Sequence, residues 1–151
     1  MNSQILFKIG PPNLYKTFIM LMLMIGVLPM KPIIGFPWNF IGIPILFFGI
    51  YVSLKAKKQF QKSKTPILPN ASPTQLHQNG LYKFTRNPMY LGIVIGLIGI
   101  ALLTTRVINL VFPIIYFFIM DRVFIIKEEA NLEKEFGERF LDYKRKVRRW
   151  I

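Results

Sequence analysis

Four long blocks of apolar residues, separated by polar stretches, set the pattern of the chain. The blocks cover residues 14–30, 36–54, 89–104 and 107–126. A helix needs about 20 apolar residues to cross a hydrocarbon core about 30 Å thick, and about 17 is the lower limit. The first two blocks are long enough, the third is marginal, and the fourth qualifies only if Asp121 and Arg122 are tolerated inside it. The pattern predicts an all-α polytopic membrane protein with about four transmembrane helices.

The polar stretches predict two hairpins of membrane helices joined by a longer segment. Residues 31–37 turn the first hairpin and residues 104–106 turn the second. The joining segment, residues 55–87, contains three prolines and therefore cannot be one continuous helix. A loop of this length is uncommon unless it has a function. We expect the whole chain, residues 1–151, to form one domain.

The C-terminal tail has the periodicity of an amphipathic helix over residues 128–149. Its apolar residues recur three or four positions apart and form one stripe, made of Leu132, Phe136, Phe140, Tyr143, Val147 and Trp150. Glutamates stand in the first turn and cations in the last, as the helix dipole favours. Such a helix can rest on a membrane surface. Glu129 does not fit this interpretation, because the period places it on the stripe that should be buried.

The composition agrees with a membrane protein. Hydrophobic residues make up 52% of the chain, which is too apolar for an ordinary soluble domain. There is no cysteine, so disulfides and thiolate metal sites are excluded. His77 is the only histidine and has no second ligand near it in the sequence, so we expect a polar loop residue there and no metal site.

The net charge of +13 invites a nucleic-acid interpretation, but the positions of the cations argue against it. With four spans and a cytoplasmic N-terminus, eighteen lysines and arginines lie inside and two, Lys31 and Arg106, lie outside. This is the bias of the positive-inside rule. We therefore expect both termini in the cytoplasm, the basic segments on anionic membrane lipids, and no nucleic-acid partner.

The stretch FTRNPMYLG, residues 84–92, is more specific than a helix needs to start in lipid. Pro88 suits the first turn of a helix, and Asn87 is placed to cap it. The free N–H groups of such a helix start can bind an anion, with Arg86 beside them. The simpler alternative is an arginine on lipid phosphate, an asparagine cap and Tyr90 in the interfacial aromatic belt.

The fourth block carries ionisable residues at an unusual depth. A helix that begins at Val107 rises only about 21 Å before it reaches Asp121 and Arg122. Ionisable groups at that depth often mark a site, although a short helix in a thinned bilayer is an equal alternative. Glu128 and Glu129 follow seven residues later, so one continuous helix returns them to about the same face.

Three glycines of the third block, Gly92, Gly96 and Gly99, make a face of small residues. Close packing against another helix is the simplest explanation. A cleft over this face is the alternative.

Two stretches, GLYKFTRNPMYLG and EEANLEKEFGERFLDYKRKVRRW, together resemble the C-terminal signature of the isoprenylcysteine carboxyl methyltransferases and the related phospholipid methyltransferases. The resemblance covers residues 80–149, about half of the chain. The matching positions are Gly80, Tyr82, Arg86, Asn87, Pro88, Tyr90, Gly92, Glu128, Glu129, Leu132, Phe136, Gly137, Phe140, Tyr143 and Arg148.

The resemblance implies a membrane enzyme that transfers a methyl group from S-adenosylmethionine to a lipophilic acceptor arriving from the bilayer. In such enzymes the cytoplasmic loop and the C-terminal helix close the cofactor pocket. By analogy, Arg86, Asn87 and the backbone around Pro88 hold the cofactor's carboxylate. Tyr82, Tyr90 and Leu91 line the pocket. Glu129, with Glu128, binds the ribose hydroxyls or the ammonium group.

The acceptor's chemistry is left open. Arg122 or Arg148 is placed by the analogy to steer an acceptor carboxylate, whereas an amine acceptor needs a base, for which Glu128 and Glu129 are the candidates. Several relatives have histidine where Asn87 stands. Since asparagine cannot take up a proton near neutrality, general-base catalysis from this position is excluded, and a prenylcysteine substrate is in doubt.

Two other classes of function remain as alternatives. An NADPH-dependent sterol-type reductase has a similar C-terminal region, but it usually has cysteine and tryptophan near the tail acids, which are absent around residues 128–143. A small transport or structural membrane protein is the other alternative. An exporter of that kind typically carries a carboxylate in an early helix, and residues 14–54 contain none. The oligomeric state is left open.

The charge bias generates a test of topology. Epitope tags inserted in residues 31–37 should react with a membrane-impermeant reagent on the outside of intact cells, while tags at the C-terminus should react only after permeabilisation. Reaction of both tags on the same side would contradict the four-span model, which places three spans, an odd number, between residues 31–37 and the C-terminus.

Overall fold

The computed structural model describes the backbone of residues 3–32, 34–62 and 75–151, and for residues 3–9 and residue 62 it describes the backbone only. The regular structure in these residues is helical. The α-helices are α1 (Ser3–Gly26), α2 (Gly42–Lys62), α3 (Pro88–Thr104), α4 (Val111–Ile119), α5 (Ile125–Phe136) and α6 (Glu138–Lys146). Helix α1 is kinked at Gly10, directly before Pro11 and Pro12. The three prolines predicted to interrupt the joining loop lie outside the described residues.

Helix α2 extends further than the sequence pattern predicts. The predicted loop begins at residue 55, but α2 continues to Lys62. Residues 55–62 contain no glycine or proline and are mostly good helix formers, so nothing ends the helix locally. Ala56 is buried, which adds a packing contribution on one face. The described part of the loop then contains a 3₁₀ turn at Gly80–Lys83.

Two helices in the described part of the chain are long and apolar enough to cross a membrane. They are Trp38–Gln61, which includes a 3₁₀ turn before α2, and Val107–Phe136. Helix α3 is also apolar throughout but has 17 residues. The fold is therefore all-helical with two candidate spans, and the count of four spans stays a prediction.

Helices α2 and α3 pack together more closely than any other pair in the described residues. Glycines on both helices allow this approach. A Cβ atom built on Gly99 would lie 2.6 Å from the backbone nitrogen of Leu46, and one on Gly49 would lie 2.4 Å from that of Gly96. The predicted role of the glycine face of α3 in helix packing is confirmed for Gly92 and Gly99.

Helices α1 and α4 complete the membrane core around α3. Met22 of α1, Leu97 of α3 and Tyr116 of α4 are fully or almost fully buried in one cluster. A polar tie joins the same helices near their ends. The buried amide of Asn109 donates to the carbonyl of Met22 at 3.0 Å and to the hydroxyl of Thr104 at 2.7 Å. These hydrogen bonds satisfy backbone and side-chain groups that are buried in the protein.

The long helix from Val107 to Phe136 begins with a 3₁₀ turn at Val107–Leu110 and is interrupted once in its middle. A π-helical turn at Met120–Phe124 separates α4 from α5. A π turn adds a residue to the local repeat and therefore rotates the side chains that follow it. As a result Asp121 and Glu129, eight residues apart, reach the same partner, as described below.

The structure differs from the predicted single helix over residues 128–149. Glu128 and Glu129 belong to α5, which continues the fourth apolar block, and the helix ends at Phe136. Gly137 then adopts φ 51° and ψ −128°, a conformation that side chains with a Cβ rarely adopt. Helix α6 begins directly afterwards and ends at Lys146. The predicted apolar stripe is partly kept, because Phe140 and Tyr143 are buried.

The contact between α2 and α3 predicts a difference between two glycines of the same helix. Gly99→Ala should destabilise the protein by about 1–3 kcal/mol, because the new methyl group overlaps the backbone of α2. Gly96→Ala is the control, since its Cβ would meet only Cδ1 of Leu46 at 3.8 Å. Denaturant unfolding in mild detergent measures both. Equal stability of the two variants would contradict this view of the interface.

Candidate functional site

The start of α3, helix α6 and one face of α2 surround a cavity of about 610 Å³. Helices α1 and α5 contribute further walls. The cavity lies where the 84–92 stretch meets the two glutamates of α5, so the structure brings together the two parts of the sequence that were singled out. Its size falls within the range of small-molecule sites.

A buried carboxylate and two guanidinium groups hold these parts together. Glu129 accepts hydrogen bonds from Nη2 of Arg86 at 2.8 Å and from Nη2 of Arg149 at 2.7 Å, one on each carboxylate oxygen. The side chains of Arg86 and Glu129 are 10% and 8% exposed. Because both oxygens of Glu129 are engaged, its charge is balanced within the protein.

Arg149 joins the tail to the fourth apolar block as well. Its Nη1 donates to Oδ1 of Asp121 at 3.1 Å, and the indole of Trp150 donates to the same oxygen at 2.9 Å. The ring of Trp150 also stacks on Phe117, with 4.5 Å between centroids. The hydrogen bonds that Arg149 donates to Glu129 raise the pKa of Arg149 above its usual value. The group Arg86, Glu129, Arg149 and Asp121 is called the charge cluster below.

The 84–92 stretch also binds the backbone of the tail. Nη1 of Arg86 donates to the carbonyl of Val147 at 2.5 Å, and the backbone N–H of Arg86 donates to that of Arg148 at 3.0 Å. The hydroxyl of Thr85 and the amide of Asn87 both donate to the carbonyl of Arg149, at 3.0 and 3.1 Å. The carbonyls after α6 have no partner within the helix, so these donors satisfy them.

A second contact holds α6 over the cavity. The hydroxyl of Tyr143 donates to the backbone carbonyl of Tyr82 at 2.7 Å. Burial raises the pKa of Tyr143, so its hydroxyl stays protonated and remains a donor at physiological pH. The predicted partnership of the joining loop and the tail therefore rests on backbone carbonyls as much as on side chains.

Glu128 has a different environment from its neighbour Glu129. It lines the cavity and accepts a hydrogen bond from the hydroxyl of Tyr90 at 2.5 Å. Consecutive residues of a helix point about 100° apart, so the two glutamates serve different surroundings. Glu128 faces the cavity, and Glu129 faces the two arginines of the charge cluster.

An aromatic surface lies at the end of the cavity that holds Glu128 and Tyr90. The ring centroid of His77 lies 4.4 Å from that of Phe60 and 5.8 Å from that of Tyr82. Burial lowers the pKa of His77, which favours a neutral imidazole near neutral pH. A neutral ring next to two aromatic rings offers a surface on which a planar group can stack.

Ten residues were given a role in the site on the basis of the resemblance, and six of them line the cavity. They are Tyr82, Arg86, Asn87, Tyr90, Glu128 and Glu129. The other four do not line it. Pro88 is buried in the first turn of α3, and Leu91 is partly buried beside it. Arg122 is 73% exposed and pairs with Asp121 at 3.2 Å. Arg148 is exposed, and its backbone carbonyl makes the described contact.

The resemblance pointed to Arg148 in the tail, whereas the structure places Arg149 in the charge cluster. Two adjacent arginines look alike in the sequence. Which of them turns inward is decided by the end of α6 at Lys146 and by the extended backbone of Val147. Phe60, Lys57 and Asn131 also line the cavity without having been singled out. The aromatic residue at 60 follows a run of lysines, and that pattern gives no signal for a pocket.

Comparisons with known proteins add a family to this geometry. The sequence model of the phospholipid methyltransferase family matches residues 38–139. This region includes the 84–92 stretch and both glutamates, and it ends before Arg149. An uncharacterized protein of Haemophilus influenzae is 33% identical over 63 residues, which are 42% of this chain and all of that protein.

The charge cluster generates a prediction about stability. Glu129→Gln leaves Arg86 without its buried counter-charge and leaves Arg149 with Asp121 alone. It should cost about 3 kcal/mol, the lower end of the range for a broken buried pair. Residues 138–151 should then become sensitive to protease. Glu133→Gln is the matched control, since its exposed carboxylate lies 3.6 Å from Lys144 and should contribute less than about 1 kcal/mol. Equal protection of residues 138–151 from protease in both variants would show that the charge cluster does not hold the tail in place.

Proposed function

The chain belongs to the phospholipid methyltransferase family, and from this premise we propose that it transfers a methyl group from S-adenosylmethionine to a lipophilic acceptor in the membrane. The family match supports a membrane methyltransferase in general. The cofactor, the acceptor and the residue roles below are our proposals. The observation that carries them is the cavity in which Glu128, Tyr90 and an aromatic surface meet.

The cavity has the donor and acceptor groups that this cofactor needs. S-adenosylmethionine supplies a methyl group on a sulfonium cation, next to an amino-acid zwitterion and a nucleoside. Glu128 offers a carboxylate to a positive group, and Phe60, His77 and Tyr82 offer a surface for a flat base. The N–H of Asn87 donates to the hydroxyl of Thr85. We therefore propose the N–H groups of Met89 and Tyr90, in the first turn of α3, as the donors to a carboxylate, in the manner of other helix N-termini.

The structure favours a division of roles that differs from the one the resemblance implied. Glu129 and Arg86 are paired with each other, so we propose that they hold the tail in place and shape the pocket. Glu128, whose described partner is the neutral hydroxyl of Tyr90, is proposed as the residue that contacts the cofactor's cation. Asn87 is proposed to position the tail, to which its amide already donates.

The other contribution of this chain is alignment and the exclusion of water. Methyl transfer is a one-step displacement, which is accelerated when donor and acceptor are held in line in a dry site. Phe140, Tyr143 and Leu132 cover the cavity from the tail side. The charge cluster keeps them there. We propose that the reaction therefore depends on a closed tail.

The acceptor is proposed to be lipophilic and to reach the cavity from the membrane. Neither Arg122 nor Arg148 lines the cavity, so we do not assign them the steering of an acceptor carboxylate. The cations among the described lining residues are Lys57 and Arg86, and Arg86 is committed to Glu129. The isoprenylcysteine-type specificity within the family remains one form of this proposal.

We also propose four spans with both termini in the cytoplasm. Two candidate spans support this, and α3, with 17 residues, reaches the lower limit of a crossing. Arg106, one of two cations assigned to the outside, donates to the carbonyls of Gly26 and Met30. It thereby caps the end of α1, so its position in the sequence has a structural reason as well.

Binding measurements test the proposed cofactor. Titration calorimetry of the purified protein in detergent should show binding of S-adenosylmethionine and none of NADPH. Glu128→Gln should weaken this binding by about 10-fold to 100-fold, because a hydrogen bond to a charged group contributes about 1.5–3 kcal/mol. The matched control Glu133→Gln, on the outer face of the same helix, should bind like the wild type.

Two outcomes would reject the proposal. Binding of NADPH in place of S-adenosylmethionine would favour the reductase alternative. Binding of S-adenosylmethionine that is unchanged in Glu128→Gln would place the cofactor outside this part of the cavity.

A further inference from the structure

The cavity is elongated along two helices. On α3 it follows one face from Met89 to Ile100, and 11 residues at 1.5 Å each give it a length of about 16 Å. On α2 it extends from Phe60 back to Leu46. A site for S-adenosylmethionine at the end that holds Glu128 uses the polar lining residues and leaves the apolar ones without a role.

The two ends of the cavity differ in polarity. Glu128, Tyr90 and His77 lie at the end near the tail. The other end is lined by apolar side chains and the backbone of one glycine, namely Ile19, Leu46, Ile93, Gly96, Leu97 and Ile100. This arrangement matches an amphiphile, with a polar head at one end and an apolar chain at the other.

The apolar end is open on one side. Ile50 and Leu54 line the cavity and are nevertheless 43% and 52% exposed. In the described residues α1 packs mainly on α3 and on the long helix, and it has little contact with α2. The gap between α1 and α2 therefore makes a groove that opens toward the lipid, with α3 as its floor.

Gly96 differs from the other two glycines of α3 in what surrounds it. Cβ atoms on Gly92 and Gly99 would overlap the backbone of α2, at 2.6 Å in each case. A Cβ on Gly96 would meet only Cδ1 of Leu46, at 3.8 Å. The missing side chain at 96 is thus not required for packing, and its absence leaves space in the groove.

We propose that this groove binds the single apolar chain of the methyl acceptor, an amphiphile with an amine head, and that Gly96 determines how much chain fits. The assignment of the occupant as methyl acceptor rests on the proposed function. The amine reacts through its lone pair, so the bond from its nitrogen to the methyl carbon forms as the bond from that carbon to the cofactor's sulfur breaks. The proton that the nitrogen gives up goes to the carboxylate of Glu128, which lines the cavity beside Tyr90. The cavity of about 610 Å³ also has to hold the cofactor, so we assign one apolar chain to the floor of the groove.

Photolabelling in a bilayer tests the groove. The probe is a straight-chain primary amine with a diazirine at the end of its chain, added to the full-length protein in phosphatidylcholine nanodiscs, and the adducts are mapped by mass spectrometry. Adducts should concentrate on Ile93 and Leu97, and should exceed those on Phe47 and Phe48 of the outer face of α2. A bulky residue in the groove costs about 1–3 kcal/mol, so Gly96→Phe should lower groove labelling about fivefold or more.

Matched variants separate the groove from general effects. Ile98→Phe adds the same side chain to α3 away from the cavity and should label like the wild type. Gly96→Ala, which has room for its methyl group, should fold and show a smaller decrease than Gly96→Phe. If Gly96→Phe does not fold, Gly96→Ala and the ratio of groove to outer-face adducts in the wild type decide the question.

The outcomes are distinct from those of the cofactor experiment. Equal labelling of the groove and the outer face, or groove labelling that is insensitive to residue 96, would overturn the proposal. So would preferential labelling by a two-chained phospholipid that carries the same diazirine. Calorimetry with S-adenosylmethionine on the same samples reports on the polar end. Its failure, with the labelling pattern intact, would reject the cofactor and leave the groove.

Discussion

A carboxylate inside a membrane protein requires a counter-charge, and Glu129 receives one from two directions. Arg86 reaches it from the start of α3, and Arg149 reaches it from the end of the tail. The cost of removing these charges from water is offset only while the whole arrangement stays together. Because Arg86 also binds carbonyls of the tail, the charge cluster fixes where α6 lies. The closure of the cavity follows from this.

Two adjacent glutamates serve two purposes because a helix separates their directions. Glu129 stabilises the closed tail, and Glu128, with Tyr90, presents a polar group to the cavity. The π turn before α5 sets this rotation and lets Asp121 share Arg149 with Glu129. Glu129 thus has a structural role and Glu128 the proposed chemical one. A substitution of Glu129 tests the closure of the tail, whereas a substitution of Glu128 tests binding in the cavity.

The sequence predicted the helical fold and the glycine packing of α3, because these depend on periodicity. The meeting of residues 84–92 with Glu128 and Glu129 was implied by the resemblance to a family. The sequence did not predict which tail arginine turns inward, since Arg148 and Arg149 differ only through the end of α6. It also did not predict the pairing of Arg86 with Glu129, because the same residues suit a ligand equally well. The break at Gly137 has a local cause, but a glycine within a periodic stretch does not by itself signal one.

Hydrogen exchange of the backbone, with and without saturating S-adenosylmethionine, tests the central claim most directly. The claim is that the cofactor binds in the cavity between α3 and the tail that the charge cluster holds in place. If it is correct, the cofactor should slow exchange in residues 80–91 and 138–149, the two segments that close over the cavity. Measured binding of the cofactor with unchanged exchange in both segments would contradict it.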